Sequence, residues 1–225
     1  MKKTASYLLA IALVIGAFIG SIEYLCFNEK FYIHEYAKLN IEESTGLDHE
    51  DLLKATDVLL EYIKGERDDM VVYGEVDGKY QEIFNDKEKA HMVDVRALYA
   101  NVNTVLYIAV AVFILSLVYL LIAKTKGLFK LLYQSFRNVL VGFLAVLIAI
   151  ALMCFVDFNR FWNQFHRLFF TNDLWLLDPS KDIMIQMVPE GFFYDLVLGI
   201  AAVFVILLVL IFLVLNFMKR RSKYD

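Results

Sequence analysis

The chain has 225 residues, 60% of them hydrophobic by a broad count, a mean hydropathy of +0.56 and a formal net charge of -4. That much apolar composition excludes an ordinary soluble domain of this size and marks a membrane protein. No excess of basic residues points to a nucleic-acid partner. Two cysteines, Cys26 and Cys154, with no Cys or His neighbour at metal-ligand spacing exclude a disulfide framework and read as small buried apolar residues.

Four windows are each about 20 apolar residues long, enough to cross a hydrocarbon core: roughly 5 to 27, 103 to 123, 138 to 157 and 193 to 217. None contains Lys or Arg. The basic flanks Lys2 and Lys3, then Lys124, Lys126, Lys130 and Arg137, then Lys219, Arg220, Arg221 and Lys223 fall on one side, which predicts that both termini are cytoplasmic. The first span follows two lysines as a signal peptide would. It has a long apolar run and no clean small-x-small cleavage site, so it is expected to stay as an anchor. Glu23, Tyr24 and Leu25 before Cys26 do not form the small-residue box that precedes a lipidated cysteine.

The segment between the first two spans carries about two acidic residues for each basic one and is too long for a connector. Asp48 is the expected cap of a helix through Leu52, Leu53, Ala55, Val58, Leu59 and Ile63, closed by Gly65. VVYGEVDGKYQEIF then reads as a hairpin turning at Asp77 and Gly78. A further helix is expected from Asn85 or Asp86 inward, with His91 and Asp94 three apart on one face. The link KTKGLFKLLYQSFRN, apolar and basic with no acids, predicts an interfacial helix at the inner leaflet.

The third span ends near Asp157, and a polar-aromatic stretch follows. Phe161, Trp162, Phe165 and Phe169 recur at helical spacing with Asn159, Arg160, Asn163 and Arg167 mostly off that face, the pattern of a helix lying in a membrane interface. His166 sits at its edge, and Asn172, Asp173, Asp178, Asp182 and Glu190 come after it. Each of those polar residues also reads as a cap or turn residue, and Trp162 and Trp175 read as belt anchors.

The expected architecture is a mainly α membrane protein: four transmembrane helices, a small mixed α/β extracytoplasmic domain between helices 1 and 2, and interfacial helices. By residue, 1–27 is transmembrane helix 1, 28–102 the extracytoplasmic domain, and 103–225 helices 2 to 4 with an extracytoplasmic interfacial loop over 158–192. In this topology His91, shortly before the second span, and His166, shortly after the third, belong to the same outer face. Histidine exchanges a proton near neutrality, so the pair is the candidate general acid and base. Asp94 is a candidate partner for an imidazole, with Asn172, Asp173 and Asp178 as supporting residues, whereas His34 and His49 read as surface residues. The usual signatures of hydrolases and phosphate cradles are absent from the sequence, and no cofactor is expected. His91, Asp94 and His166 could in geometry hold a zinc ion, but the closely spaced ligands of a single segment are lacking, so no resident metal is expected.

The segments FYIHEYAKLNI, TGLDHEDLLKATDVLLEYI, FNDKEKAHMVDVR and FHRLFFTNDLWLLDPSKDIMIQMVPEGFF, with four spans in this order, resemble the lipoprotein intramolecular transacylase family over nearly the whole chain. The resemblance implies transfer of an acyl chain from the middle glycerol position of a diacylglyceryl-cysteine lipoprotein to the α-amine of that cysteine. The product is a lyso-form lipoprotein. It implies a lipoprotein substrate and membrane lipids as partners, and it assigns the two family histidines to His91 and His166. Two other readings stay open on the residues alone. One is a metal-dependent membrane hydrolase of lipid or lipopeptide with the same histidines as ligands, and the other is a non-enzymatic membrane adaptor.

Overall fold

A computed structural model describes residues 1–222; Lys223, counted above with the basic C-terminal flank, lies outside the described residues. In chain order the elements are α1 (Lys2–Cys26), α2 (Glu29–Leu39), α3 (Ile41–Thr45), α4 (His49–Lys64), β1 (Tyr73–Val76) and β2 (Lys79–Glu82). Then follow α5 (Asp86–Ile122), α6 (Leu128–Val156), α7 (Phe158–Phe169), α8 (Ile183–Met187) and α9 (Glu190–Arg221). The chain is mainly helical, and α1, α5, α6 and α9 are each long and apolar enough to cross a membrane. Two units divide it, with α1, α5 and α9 each contributing residues to both.

The first unit comprises Met1–Tyr24, Asn103–Val156 and the chain from Leu198. Its core joins Leu9 and Val14 of α1, Leu120 of α5, Leu132 and Phe136 of α6, and Phe204 and Leu208 of α9. Ser6 and Ser135 meet through their hydroxyls at 2.7 Å inside it, a short polar contact of the kind that holds apolar helices in register. Outward-facing Leu115, Ile122, Ile148 and Leu213 are exposed, as side chains that meet lipid rather than protein should be.

The expected interfacial helix after the second span does not form separately. Its residues are the first turns of α6, which starts just past Gly127 (φ 63°) and runs unbroken to Val156. The physical reason is that Leu132, Ser135 and Phe136 are buried in the helical core, so packing against other helices takes the apolar face that was assigned to the leaflet.

The second unit comprises Leu25–Val102 and Asp157–Val197. Asn28 caps α2 by accepting the Lys30 N–H, and Asn40 ends it in the left-handed region at φ 53°. The Asp48 carboxylate accepts the Asp51 N–H at 2.8 Å to start α4, and Gly65 (φ 79°) closes it. Leu52, Ala55 and Leu59 are buried on one face of α4, and Thr56 meets the Tyr36 hydroxyl at 2.7 Å. The hairpin pairs Val76 with Lys79 across Asp77 (φ 49°) and Gly78 (φ 77°), two positive angles in succession as a type I′ turn requires. Asp51 and Lys54 of α4 bond the outer edge of β1 at Glu75 N–H and Tyr73 C=O, so the hairpin is fastened to the helix. Phe192 lies 5.3 Å from Phe31 and 5.1 Å from Tyr32, ring to ring, which ties the start of α9 to α2.

Candidate active site

Both histidines lie in the second unit. α5 begins with a capping box: the Asn85 side chain accepts the Lys87 and Glu88 N–H groups, and Glu88 reaches back to accept the Asn85 N–H at 2.7 Å. The other Glu88 oxygen accepts the Met184 N–H at 2.6 Å. Glu88 is 0% exposed, and burial pushes its carboxyl above the usual range although both backbone N–H groups oppose this. This cap sets the first turn of α5. His91 follows three residues later on the same face.

His91 is 8% exposed, and its Nδ1 is buried with no hydrogen-bond partner. Burial, reinforced by the neighbouring His166, lowers its pKa to about 4; Asp94 opposes the shift and Lys87 adds to it. At neutral pH this imidazole is therefore uncharged.

α7 is started by Asp157, whose carboxylate accepts the Arg160 N–H at 2.9 Å. His166 lies near its C-terminal end at 7% exposure, with Nδ1 2.8 Å from the Trp162 carbonyl one turn back. A carbonyl only accepts, so Nδ1 carries the proton and donates it, leaving Nε2 with a lone pair. Burial lowers the pKa of His166 as well, against the hydrogen bond to Trp162.

The two imidazoles stand 6.2 Å apart, centroid to centroid, at 36°. Phe170 touches both, at 5.3 Å from His91 and 5.6 Å from His166. Trp175 stacks on the face of His166 at 4.8 Å and 25°, and Trp162 meets the same ring edge-on at 4.8 Å. Trp162 is itself stacked on Phe165 at 5.2 Å and on Phe193 at 4.3 Å. The result is an aromatic box around two neutral imidazoles.

Residues 171–182 form a strap fastened to α5 at several points. Asn172 donates to Asp94 at 2.8 Å, Lys87 donates to the Leu176 carbonyl, and Asn85 donates to Asp182 at 2.8 Å. Asp182 is buried and also accepts the Asp178 N–H. Asp94 thus bonds Asn172 rather than an imidazole. Asp178 accepts the N–H and hydroxyl of Ser180, a turn arrangement, and Asp173 is exposed and contributes its carbonyl to the Leu176 N–H. His34 and His49 are away from the pair: His49 bonds Glu42 and His34 lies beside Glu35.

Sequence reasoning missed Glu88 and took Trp175 for a belt anchor. The spacing of Asn85 and Glu88 is a readable capping-box signal. Nothing in the local sequence marks Trp175 as the face of a histidine. Among the described residues no three His, Cys, Asp or Glu side chains stand close enough together to hold a metal ion.

A family profile described as lipoprotein intramolecular transacylase Lit matches residues 7–193. The chain belongs to the Lit family. Among solved structures, Lit from Bacillus cereus superposes with a TM-score of 0.81 at 20% identity, covering 100% of this chain and 99% of that one. Two structures of the same Bacillus cereus protein carry a replacement of one histidine. The arginine variant has a TM-score of 0.78 at 19% identity and 94% coverage of that chain, and the alanine variant 0.79 at 19% and 96%. At these identities the likeness establishes a shared fold, that of a multi-pass membrane protein. No curated protein sequence matches the chain.

Proposed function

We propose that this Lit-family chain catalyses intramolecular acyl transfer in bacterial lipoproteins. The acyl chain leaves the middle glycerol position of diacylglyceryl-cysteine and joins that cysteine's α-amino group, giving the lyso-form lipoprotein. The observation that carries the reading is the pair of buried, uncharged imidazoles 6.2 Å apart, one with a committed lone pair and the other with an unpartnered buried nitrogen.

The chemistry needs little else. An α-amine has a reference pKa of about 7.7 to 8.0, so at neutrality most of it carries a proton that must be removed before attack. His166 Nε2 is the acceptor, since its Nδ1 is engaged by Trp162. The amine nitrogen forms the new bond to the acyl carbon and sheds a second proton as it becomes an amide, and the bond from that carbon to the glycerol oxygen breaks. Of the two protons released, one passes by way of His166 to the departing oxygen while the other goes to solvent. His91, whose pKa of about 4 keeps it neutral, donates an N–H to the oxyanion of the tetrahedral centre. Donor and acceptor sit in one molecule, so effective molarity supplies a large part of the rate and no acyl-enzyme is required. The structures of the Bacillus cereus protein with a replaced histidine are in keeping with a histidine at work in this family. The basic flanks support cytoplasmic termini and, with them, an outer-face position for the histidine pair.

Mass spectrometry of a lipoprotein's N-terminal peptide, in cells with and without this chain, tests the proposal. The lyso-form should appear only with the chain, and should be lost or greatly reduced with His91→Ala and with His166→Ala at equal levels of folded protein. Unchanged peptide in its presence would overturn the reading.

A further inference from the structure

The strap crosses α5 with its ties on either side of Trp175: Asn172 is held by Asp94, and the Leu176 carbonyl by Lys87. Those two anchors flank His91 on α5, at three residues after it and four before. Between the ties the backbone folds tightly, with the Leu176 N–H on the Asp173 carbonyl at 3.1 Å and the Leu177 N–H on the Trp175 carbonyl at 2.9 Å. The Trp175 indole is consequently held flat against the His166 imidazole at 4.8 Å.

Burying an imidazole that must accept a proton is self-defeating unless something favours its cationic form, because desolvation disfavours the charge. Among the described residues no carboxylate is hydrogen-bonded to His166. The titratable group facing His166 is His91 on α5, with Asp94 and Lys87 on that helix about one turn to either side of His91; Asp94 is engaged by Asn172, and Asp173 on the strap is exposed. The strap and α7 turn aromatic carbon toward the ring, through Trp175 and Trp162. The face of an indole attracts a cation, and Trp175 lies nearly parallel to the imidazole at 25° where Trp162 crosses it at 77°.

We propose that Trp175 is a positioning residue for the transfer reaction: fixed by the strap, its indole face holds the His166 ring in plane with Nε2 presented to the substrate amine, and stabilises the imidazolium formed during transfer. This rests on the functional reading above, in which His166 takes the proton. Trp175 does so without a hydrogen bond. That distinguishes it from the carboxylate that orients histidine in many acid-base pairs.

The test replaces electron density rather than shape. The chain has two tryptophans, so in a Trp162→Phe background the protein is made with tryptophan, 5-fluorotryptophan or a more heavily fluorinated analogue at position 175. Fluorination weakens the attraction for a cation and leaves packing nearly unaltered. The protein has four histidines, and isotope-labelled histidine signals followed by NMR against pH are assigned through a His166→Gln control. The midpoint of His166 should fall stepwise along the series, by about half a unit or more at the heavily fluorinated end, roughly a threefold change in proton affinity. The acid limb of kcat should move down by the same amount while KM holds. A midpoint that stays put along the series overturns the role of Trp175, whatever the activity. If the unmodified chain transfers no acyl group while the midpoint still responds, the functional reading fails instead, and with it the catalytic meaning of the stack.

Discussion

Lowering pH should destabilise the second unit through His91 before general acid denaturation sets in. Its pKa falls from 6.5 in an unfolded chain to about 4 in the fold. A depressed folded pKa means that the unfolded chain takes up the proton first. The stabilisation is therefore complete above the unfolded value and is lost as pH falls from 6.5 toward 4. At about 1.36 kcal/mol per unit, His91 accounts for a loss of about 2 kcal/mol near pH 5 and about 3 kcal/mol near pH 4. The residue is buried, so solvent screening does not reduce this much. Glu88 acts in the opposite sense, because its raised pKa means that protonation favours the fold as pH drops. The comparison must therefore be a difference: chemical unfolding in detergent at a series of pH values, for the parent chain and for His91→Gln, which keeps a polar side chain but does not titrate. Trp162 and Trp175 both pack on His166 and report the unfolding by fluorescence. The gap between the two proteins should narrow by about 2 kcal/mol between neutrality and pH 5. Curves that run parallel within about 0.5 kcal/mol would refute the assignment of a neutral buried His91.

Glu88→Ala removes the acceptor of both the Asn85 and Met184 N–H groups and should cost about 1–3 kcal/mol of unfolding free energy, with Glu88→Gln milder; urea titration compares them. Gly78→Val should destabilise the second unit at its φ of 77°, while Gly78→Asn is nearly tolerated, a contrast read from the yield and melting temperature of each variant. Replacing Cys26 and Cys154 together with Ala should leave transfer largely intact. A lipoprotein with labelled acyl chains, mixed with an unlabelled one, should pass no label between molecules, and an acyl-enzyme trapped on either cysteine would contradict the mechanism. Reporters fused at the C-terminus and inserted at the Asp77–Gly78 turn should report the cytoplasmic and outer sides respectively.

Much of this protein is local physics and was readable from residue order. Span lengths, the Asp48 cap and Gly65 stop of α4, and the positive angles at Asp77 and Gly78 depend on neighbours within a few residues, so composition, caps and turn chemistry were enough to specify them. The pairing of His91 with His166 followed from topology, because counting spans puts both on one face. What the linear order could not decide is what each polar or aromatic residue meets across the fold. Asp94 bonds Asn172, 78 positions away in sequence, instead of its own helix neighbour His91. The basic link became the start of α6 because Leu132 and Phe136 found a helical core to enter. Trp175 became the face of His166 only because Asp94 and Lys87 hold the strap on either side of it. A hydrogen bond or a ring stack over such separations is fixed by how packed elements bring distant backbone together, and local propensity contains no term for that distance.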